Sequence, residues 1–264
     1  MGIINVTPDS FSDGGLCLEP AAALAHAQRL IAEGAAILDV GGESTRPGAL
    51  PVAAAEEIAR VVPAIEAIRR ETDIPLSIDT MKPAVARAAV AAGANLWNDV
   101  SALTGSPESL AVAADLGCEV VLMHKQGPPA TMQAAPRYGD VVAEVIAYLA
   151  ARAQAAMDAG VAREKIWLDP GIGFGKTKRH NLALIANLDR LVALGFPVLV
   201  GASRKSFIPK VTGAAAEHER VGGSIAIALA AAKAGVAALR VHDVLATTQA
   251  LAMAAAISQA SEHA

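Results

Sequence analysis

The chain has 264 residues, of which 53% are hydrophobic, and a formal net charge of −4. This length suits one large barrel domain or two small domains. The acidic balance and an aromatic content of 3% argue against a nucleic-acid-binding protein, which needs a basic surface or aromatic stacking platforms. Charges or glycines interrupt every apolar stretch before it could span a bilayer, so no membrane segment is expected.

The cysteines and the first residues give no sign of export or of a zinc site. Cys17 and Cys118 lie far apart without metal-ligand spacing, so both are expected to be reduced thiols. The apolar run after Met1 has no basic leader and no cleavage-type site. These features predict a cytoplasmic protein.

Short apolar runs alternate with longer alanine-rich segments eight times along the chain. This alternation is typical of repeated βα units around a parallel sheet. The predicted strands cover residues 2–6, 36–40, 76–79, 95–98, 119–123, 165–169, 197–200 and 238–241. The predicted helices begin near Pro20, Pro51, Pro83, Pro107, Asp140, Lys178, Glu217 and Asp243. No linker divides the chain, so we predict a single domain over residues 1–264.

A polar residue stands at or just beyond the end of every predicted strand. These residues are Asn5, Asp39, Asp79, Asn98, His124, Asp169, Ser203 and His242. In a barrel the carboxyl ends of the strands meet on one face, where active sites are built. A doubly wound sheet would instead concentrate its ligand groups at one switch point. The predicted fold class is therefore α/β, a (β/α)8 TIM barrel with eight parallel strands ringed by helices.

Two loops in the first part of the chain carry residues suited to substrate binding. The string NVTPDSFSDGG (residues 5–15) is either a plain turn or a mobile loop that supplies oxygen ligands and an aromatic cover from Phe11. The string DVGGESTRPGA (residues 39–49) contains Thr45, Arg46 and Pro47. Most arginines are solvated surface charges, but one on the active face can bind a carboxylate or phosphate through its fork of donors.

The middle of the chain supplies two acids and an amide. Asp79 in SIDT and Asn98 in NDV would each, taken alone, more often be a helix cap or a turn residue. Together with Asp169 they can donate to and accept from a flat heterocycle. The string LDPGIGFGK (residues 168–176) matches neither a Walker loop nor a dinucleotide fingerprint, so its glycines are expected to let backbone pass close to a ligand.

The strings GASRKSF (residues 201–207) and LRVHD (residues 239–243) follow the last two predicted strands. The ends of strands seven and eight are the usual phosphate position in barrels. Ser203, Arg240 and His242 are therefore candidate anion ligands, although His242 could equally be a helix cap and Lys205 a surface lysine. Their joint location favours a pyrophosphate site.

Taken in order, NVTPDSFSDGG, DVGGESTRPGA, IDT, NDV, LDPGIGFGK, GASRKS and RVHD resemble the successive signatures of dihydropteroate synthases. The resemblance runs over the whole chain. It implies a transferase of folate biosynthesis that condenses 6-hydroxymethyl-7,8-dihydropterin pyrophosphate with p-aminobenzoate, by departure of pyrophosphate and attack of the amine on a pterin-stabilised cation. The partners it implies are these small-molecule substrates and a second copy of the chain in a homodimer. The alanine-rich segments 221–232 and 247–257 have apolar faces wider than packing against one barrel wall requires, which suits such a dimer.

The same resemblance implies roles for individual residues. The pterin ligands it implies are Asp79, Asn98, Asp169, Lys205, Met123, Gly201 and Phe174. The p-aminobenzoate pocket it implies is framed by Thr45, Pro47 and Ser206. Pyrophosphate would meet Asn5, Arg46, Arg240 and His242, with Mg2+ held at Asn5. The residues expected to carry catalysis are Lys205, Asp169, Arg46, Arg240 and His242, and those expected to cover the site are Phe11 and Asp13.

Two other functions remain open on the sequence. A folate-dependent corrinoid methyltransferase would share the pterin-holding acid and amide, but the loop strings NVTPDSFSDGG, STRPG and SRK are not expected in it. A non-catalytic pterin binder would keep the ring pocket without turnover, and Lys205 and Arg46 argue against it. Release of pyrophosphate would distinguish an enzyme from a binder.

Overall fold

The computed structural model describes residues 1–7, 20–44, 51–127, 131–214 and 216–262. Within these residues, parallel strands alternate with helices along the chain. The strands are β1 (Gly2–Asn5), β2 (Leu38–Gly41), β3 (Leu76–Asp79), β4 (Leu96–Asp99), β5 (Glu119–Met123), β6 (Ile166–Asp169), β7 (Leu199–Val200) and β8 (Ala238–Leu239). The helices are α1 (Pro20–Ala32), α2 (Ala54–Glu71), α3 (Pro83–Ala91), α4 (Ser109–Leu116), α5 (Val141–Asp158), α6 (Lys178–Ala186), α7 (Leu188–Val192), α8 (Pro209–Thr212), α9 (Val221–Lys233) and α10 (Val244–Glu262).

The strands pair in chain order and close into a ring. Strands β1 to β6 form one continuous parallel sheet, and β7 pairs with β8. A parallel bridge between Leu168 and Val198 joins β6 to β7, and another between Gly2 and Val241 joins β8 to β1. At the second junction the N–H of Val241 donates to the carbonyl of Met1 at 2.9 Å. The predicted (β/α)8 barrel is therefore confirmed.

The predicted boundaries agree with the structure to within a few residues. The bounds of β3 and β5 are those predicted, whereas β2 begins at Leu38 rather than at residue 36. Strand β7 covers Leu199–Val200 rather than residues 197–200, and Pro197, which has no N–H to donate, lies outside it. The short helices α7 and α8 were not predicted.

Three α-helices begin a few residues after the residues near which they were predicted to start. Helices predicted from Pro51, Pro107 and Glu217 begin at Ala54, Ser109 and Val221. Before α2, Ala53 still has extended backbone angles, φ −65° and ψ 145°. Before α9, a 3-10 turn over His218–Arg220 occupies the predicted first turn.

Alternation along β4 shows which side chains face the inside of the ring. Successive strand side chains point to opposite faces of a sheet. Trp97 is fully buried on the helical side, where its Nε1–H donates to the carbonyl of Thr80 at 2.8 Å. Leu96 packs with Val121 and Leu199, and because β4 and β7 are not neighbours, this contact can only run through the inside of the ring. Asn98, two residues after Leu96, therefore also faces inward.

Side chains at the ends of two helices fix where those helices begin. The carboxylate of Asp140 accepts from the N–H groups of Val142 and Ala143 at 3.0 and 3.1 Å and caps α5. Thr177 and His180 form a reciprocal capping box that starts α6 directly after residues 170–176.

Over the described residues, no helix combines the length and the apolar character that crossing a membrane requires.

Candidate active site

Polar side chains converge on the inside of the ring at the carboxyl ends of the strands. The strand register pairs Asn5 with Gly41, Gly41 with Asp79, Asp79 with Asn98, and Met123 with Asp169. Asp79, Asn98 and Asp169 are 9%, 3% and 5% exposed. Residues predicted separately from distant parts of the sequence thus lie in one cluster at the barrel mouth.

Arg240 lies inside the ring and binds two carboxylates. Its Nε donates to Oδ2 of Asp39 at 2.6 Å, and its Nη2 donates to Oδ2 of Asp79 at 2.9 Å. The amide of Asn98 donates to the same oxygen of Asp39 at 3.3 Å. Asp39 is fully buried, and its Oδ1 accepts no hydrogen bond from the described residues. Arg240 therefore links β2, β3 and β8 across the inside of the barrel.

Lys205 and Asp169 form a second charged group beside the first. The Nζ of Lys205 lies 4.0 Å from the centre of the Phe174 ring, a cation–π contact. Asp169 accepts from the N–H of Gly171 at 2.7 Å. Burial and the nearby Arg240 lower the pKa of Lys205 to about 8. Burial raises the pKa of Asp169 to about 6, although the N–H of Gly171 and the ammonium of Lys205 act in the opposite direction.

The pKa of Asp79 is also displaced toward neutrality. Burial raises it to about 7, the Arg240 guanidinium opposes the rise, and the Asp39 carboxylate adds to it. Three ionisable groups at the mouth, Asp79, Asp169 and Lys205, therefore titrate within a few units of neutral pH. Such clustering is typical of functional sites.

Arg204 anchors the segment that follows β7 and thereby holds its neighbours Ser203 and Lys205 at the mouth. Arg204 has a left-handed φ of 56°, and its Nε and Nη2 donate to the two carboxylate oxygens of Asp243 at 3.0 and 2.5 Å. Its backbone N–H donates to Oγ of Ser224 at 2.9 Å. On the other side, Oγ of Ser203 lies 3.0 Å from Nδ1 of His242. The predicted anion ligands of β7 and β8 are therefore adjacent.

The remaining predicted site residues fall into three groups. Met123 is buried, and Gly201 lies beside Arg240, since a Cβ there would be 3.7 Å from Cβ of Arg240. Ser206 is exposed. The predictions that fall outside the described residues concern Phe11, Asp13, Cys17, Thr45, Arg46 and Pro47.

One predicted residue of the mouth lies on the other side of its strand. His124 directly follows the inward-facing Met123, so alternation turns its side chain toward the helices. Its ring packs edge-on against Tyr148 of α5 with centroids 4.9 Å apart. The expectation that every strand-end polar residue faces the mouth was therefore wrong for His124.

Sequence reasoning placed Asp39 among the strand-end polar residues but assigned it no individual role, and in the structure it is a partner of Arg240. The signal was present in the strand pattern, because Asp39 lies two residues before the inward-facing Gly41 and is an acid in an otherwise apolar strand. It also missed Glu43, whose carboxylate accepts from the N–H of Val52 at 3.0 Å and from Nζ of Lys82 at 2.5 Å. Lys82 in turn binds the fully buried Glu57 at 2.6 Å.

The site offers little to a metal ion from protein alone. Among the described residues, no group of three or more His, Cys, Asp or Glu side chains is arranged to hold one. Asn5 presents an amide oxygen beside a glycine, and a Cβ at Gly41 would lie 3.8 Å from that oxygen and 3.9 Å from Oδ2 of Asp79. The glycine thus leaves space next to one oxygen ligand, which suits a hard cation that takes its other ligands from water and phosphate.

Glycines at residues 171, 173 and 175 bring the segment 170–176, named here the glycine-rich loop, close to its neighbours. Gly171 has φ +65°, and a Cβ there would lie 1.8 Å from the carbonyl oxygen of His124. Gly171→Ala is therefore expected to lower the free energy of unfolding by roughly 3 kcal/mol or more, because both backbone strain and a clash with rigid backbone are introduced. Urea denaturation measures this loss.

Gly213→Ala is the matched control for this prediction. Gly213 also has a left-handed φ, +76°, but nothing lies within 4 Å of an added Cβ. Only the strain remains, so a loss of about 1 kcal/mol is expected. Equal losses in the two variants would show that the loop does not press on the end of β5 as described.

Comparison with known proteins agrees with this geometry. The sequence profile of the family described as pterin binding enzyme matches residues 1–242. A dihydropteroate synthase of Escherichia coli is 47% identical over 263 residues, covering 100% of this chain and 93% of the relative. This chain belongs to the dihydropteroate synthase family of pterin binding enzymes. The resemblance carried by the seven sequence strings is confirmed, and with it the assignment to a family of transferases.

Solved structures of the family superpose on the chain over nearly its whole length. The Xanthomonas albilineans dihydropteroate synthase with 4-aminobenzoic acid gives a TM-score of 0.92 at 52% identity, covering 98% of this chain and 92% of that one. The Yersinia pestis enzyme with a sulfonamide drug complex gives 0.93 at 45% identity, covering 98% and 94%. These relatives favour the dihydropteroate synthase assignment over the corrinoid methyltransferase.

Proposed function

We propose that this chain condenses 6-hydroxymethyl-7,8-dihydropterin pyrophosphate with p-aminobenzoate, giving 7,8-dihydropteroate and pyrophosphate. The observation that carries the proposal is the convergence of Asp79, Asn98 and Asp169 with Lys205 and Arg240 at one barrel mouth. The relatives support it, because the Escherichia coli protein bears the name of this reaction and the Xanthomonas albilineans structure holds 4-aminobenzoic acid.

The inward-facing acids and the amide bind the pterin ring in this proposal. A pterin presents ring N–H and amino donors on one edge and a carbonyl with ring nitrogens as acceptors. The carboxylates of Asp169 and Asp79 accept from the donors, while Asn98 and Lys205 donate to the acceptors. Met123, Gly201 and Phe174 line the faces of the ring slot.

The groups after β8 act on the leaving pyrophosphate. Breaking the CH2–O bond leaves a cation that the conjugated dihydropterin ring delocalises, and the bonding electrons depart with pyrophosphate. Arg240 and His242, with Arg46, stabilise the negative charge that develops on the leaving oxygen. The aryl amine then forms the C–N bond and loses one proton. No residue is needed as a strong base, since an anilinium group is acidic enough to release that proton to water.

Exclusion of water protects the cation until the amine attacks. Asp169 is buried and Lys205 is partly buried, so a ring bound between them would be shielded in part by protein. Phe11 and Asp13 are proposed to cover the site, and Thr45, Pro47 and Ser206 to frame the p-aminobenzoate pocket, on the resemblance of their sequence strings alone.

We also propose that Asn5 holds Mg2+ together with pyrophosphate oxygens. Support comes from the amide oxygen of Asn5 and the space that Gly41 leaves beside it. Bound there, Mg2+ would neutralise charge on the pyrophosphate. Arg240 and His242 would bind the pyrophosphate directly.

A homodimer is the assembly we propose. Helix α10 carries three large apolar side chains, Leu245, Met253 and Ile257, which are 50%, 63% and 64% exposed. Apolar side chains concentrated on one element suit an interface more than free solvent. The cytoplasmic location stays a prediction.

The decisive experiment is a pyrophosphate-release assay with the purified chain. Rapid release is expected only when the dihydropterin pyrophosphate, p-aminobenzoate and Mg2+ are all present, with 7,8-dihydropteroate formed in equal amount. Omitting p-aminobenzoate reduces release to the slow hydrolysis of a bound substrate. A binding protein without catalysis would release none under any condition.

A sulfonamide serves as the competitor in the same assay, since it is an aryl amine that presents the same nucleophile. Inhibition is measured as the loss of 7,8-dihydropteroate formation and is expected to be relieved by excess p-aminobenzoate. Pyrophosphate release that does not depend on p-aminobenzoate, or inhibition that excess p-aminobenzoate leaves unchanged, would contradict the proposed reaction.

A further inference from the structure

A buried lysine beside the mouth has no part in the proposed chemistry. Lys176 is 3% exposed at the end of the glycine-rich loop. Its Nζ lies 2.9 Å from Nδ1 of His124, 3.2 Å from the carbonyl oxygen of His124 and 3.0 Å from that of Phe174. An ammonium group has three N–H donors, so these three acceptors engage all of them. None of the three is a carboxylate.

Such a placement is costly for a lysine. Lysine is almost never fully buried, and a buried charge without a directly bound counter-ion is expensive. Burial lowers the pKa of Lys176 to about 7, with Asp169 acting against the change and Lys205 adding to it. Burial likewise lowers the pKa of His124 to about 3, so its ring is neutral. Because Nδ1 accepts from the lysine, the ring proton is assigned to Nε2.

Lys176 connects two segments that meet at the pterin site. One is the end of β5 at His124, and the other is the glycine-rich loop. The segments touch closely, since a Cβ at Gly175 would lie 2.4 Å from the carbonyl oxygen of Gln126. On its far side the loop meets Lys205, since a Cβ at Gly173 would lie 3.0 Å from Cδ of that residue. The loop is therefore packed between the end of β5 and the lysine of the mouth.

We propose that Lys176 is a positioning residue for the pterin site. It holds the glycine-rich loop against the end of β5 and thereby keeps the Phe174 ring on Lys205 and the Asp169 carboxylate near two ammonium groups. The proposal rests on the proposed function, which assigns Asp169, Phe174 and Lys205 to the pterin. Lys176 acts through these residues and touches no substrate itself.

The position of Lys176 also has an electrostatic consequence that a purely mechanical role would lack. The cations that face Asp169 are Lys205 from the segment after β7, Arg240 after β8, and Lys176 from its own loop. Each favours the ionised carboxylate against burial. Without the Lys176 charge the pKa of Asp169 rises, so the carboxylate that accepts from the pterin is protonated at a higher pH.

The test is the affinity of the intact chain for 6-hydroxymethyl-7,8-dihydropterin pyrophosphate, measured by calorimetry without p-aminobenzoate between pH 5 and 9. Lys176→Met keeps the length of the side chain and removes its charge and donors. We expect about tenfold weaker binding at neutral pH. We also expect the acid limb, which is the fall in affinity as the pH is lowered, to begin at a higher pH than in the parent chain. Lys178→Met, an exposed lysine two residues later, is expected to bind within about twofold of the parent chain.

A second pair of variants keeps the proposal testable where Lys176→Met does not fold. His124→Asn keeps an acceptor, its amide oxygen, close to the position of Nδ1, whereas His124→Leu removes it. We expect binding near that of the parent for His124→Asn and a loss in the direction of Lys176→Met for His124→Leu.

Two results would overturn the proposal: parent-like affinity with an unmoved acid limb in folded Lys176→Met, or equal affinities in the two His124 variants. Failure of the proposed function is seen separately, as parent chain that binds the pterin substrate but releases no pyrophosphate. In that case the calorimetric comparison still decides the role of Lys176.

Discussion

Asp169→Asn is expected to lower turnover by about three orders of magnitude while the barrel stays folded. Asparagine keeps the shape of the side chain but removes the negative charge and replaces one acceptor oxygen with a donating NH2 group. That NH2 would face the pterin N–H donors and the nearby Lys205, which are donors themselves. The initial rate of pyrophosphate release at saturating substrates measures the effect, and thermal unfolding by circular dichroism checks the fold.

Asp189→Asn provides the control for this substitution. Asp189 is an exposed acid of α7 outside the mouth, and the same chemical change there is expected to leave turnover within about twofold. A folded Asp169→Asn variant with near-parental turnover would contradict the assignment of Asp169 to the pterin site.

Arg240→Met is expected to lower the free energy of unfolding by about 3 to 5 kcal/mol at pH 8, in addition to removing a proposed pyrophosphate ligand. The side chain of Arg240 is only 21% exposed, and Asp39 and Asp79 are its buried partners. Removing the guanidinium leaves two carboxylates inside the barrel without their cation. Chemical denaturation with urea at a series of pH values measures the loss.

The loss in Arg240→Met depends on pH with a definite sign. In the parent chain the pKa of Asp79 is about 7 when folded, against an ordinary value of about 3.9 when unfolded. The stability from its protonation is therefore fully present below about pH 4 and is lost as the pH rises toward 7. Without Arg240 the folded pKa rises further. The difference between parent and variant should thus be smaller at pH 5 than at pH 8.

Two further variants support the interpretation of Arg240→Met. Asp39→Asn combined with Arg240→Met removes one of the unpaired charges and is expected to recover part of the lost stability. Arg87→Met removes an arginine from an exposed pair with Asp115 and should cost no more than about 0.5 kcal/mol. A loss in Arg240→Met that does not change with pH would contradict the buried ion cluster.

The parts of the fold and site that could be predicted from sequence are those set by local pattern. Alternating apolar runs and helical segments predict the strand order, and polar residues at strand ends predict Asp79, Asn98 and Asp169 as neighbours. These predictions need only a parallel ring and no exact register. The lengths of β7 and β8 were less predictable, because their ends depend on which backbone groups find partners across the ring.

Some contacts depend on closure of the barrel or on which face of the sheet a strand residue points to, and these could not be predicted from local pattern. Arg240 meets Asp39 across 201 residues of sequence, and no local signal links the two. Met123 points to the inside of the ring and His124 to the helices, and a shift of one residue in the predicted alternation of β5 would exchange the two. The three acceptors of Lys176 include two carbonyls, whose positions follow only once the glycine-rich loop is folded.

The two junctions of the barrel wall have a mechanical consequence. Strands β7 and β8 are two residues long, and among the described residues they join the six-stranded sheet at two short junctions, through hydrogen bonds such as that from the N–H of Leu168 to the carbonyl of Pro197 and that from the N–H of Ile3 to the carbonyl of Val241. That short segment precedes Lys205 and His242, whereas the acids that face them belong to the six-stranded part. A ligand that contacts residues of both parts would add noncovalent contacts across both junctions. Ligand binding at the mouth is therefore expected to make the barrel wall more rigid.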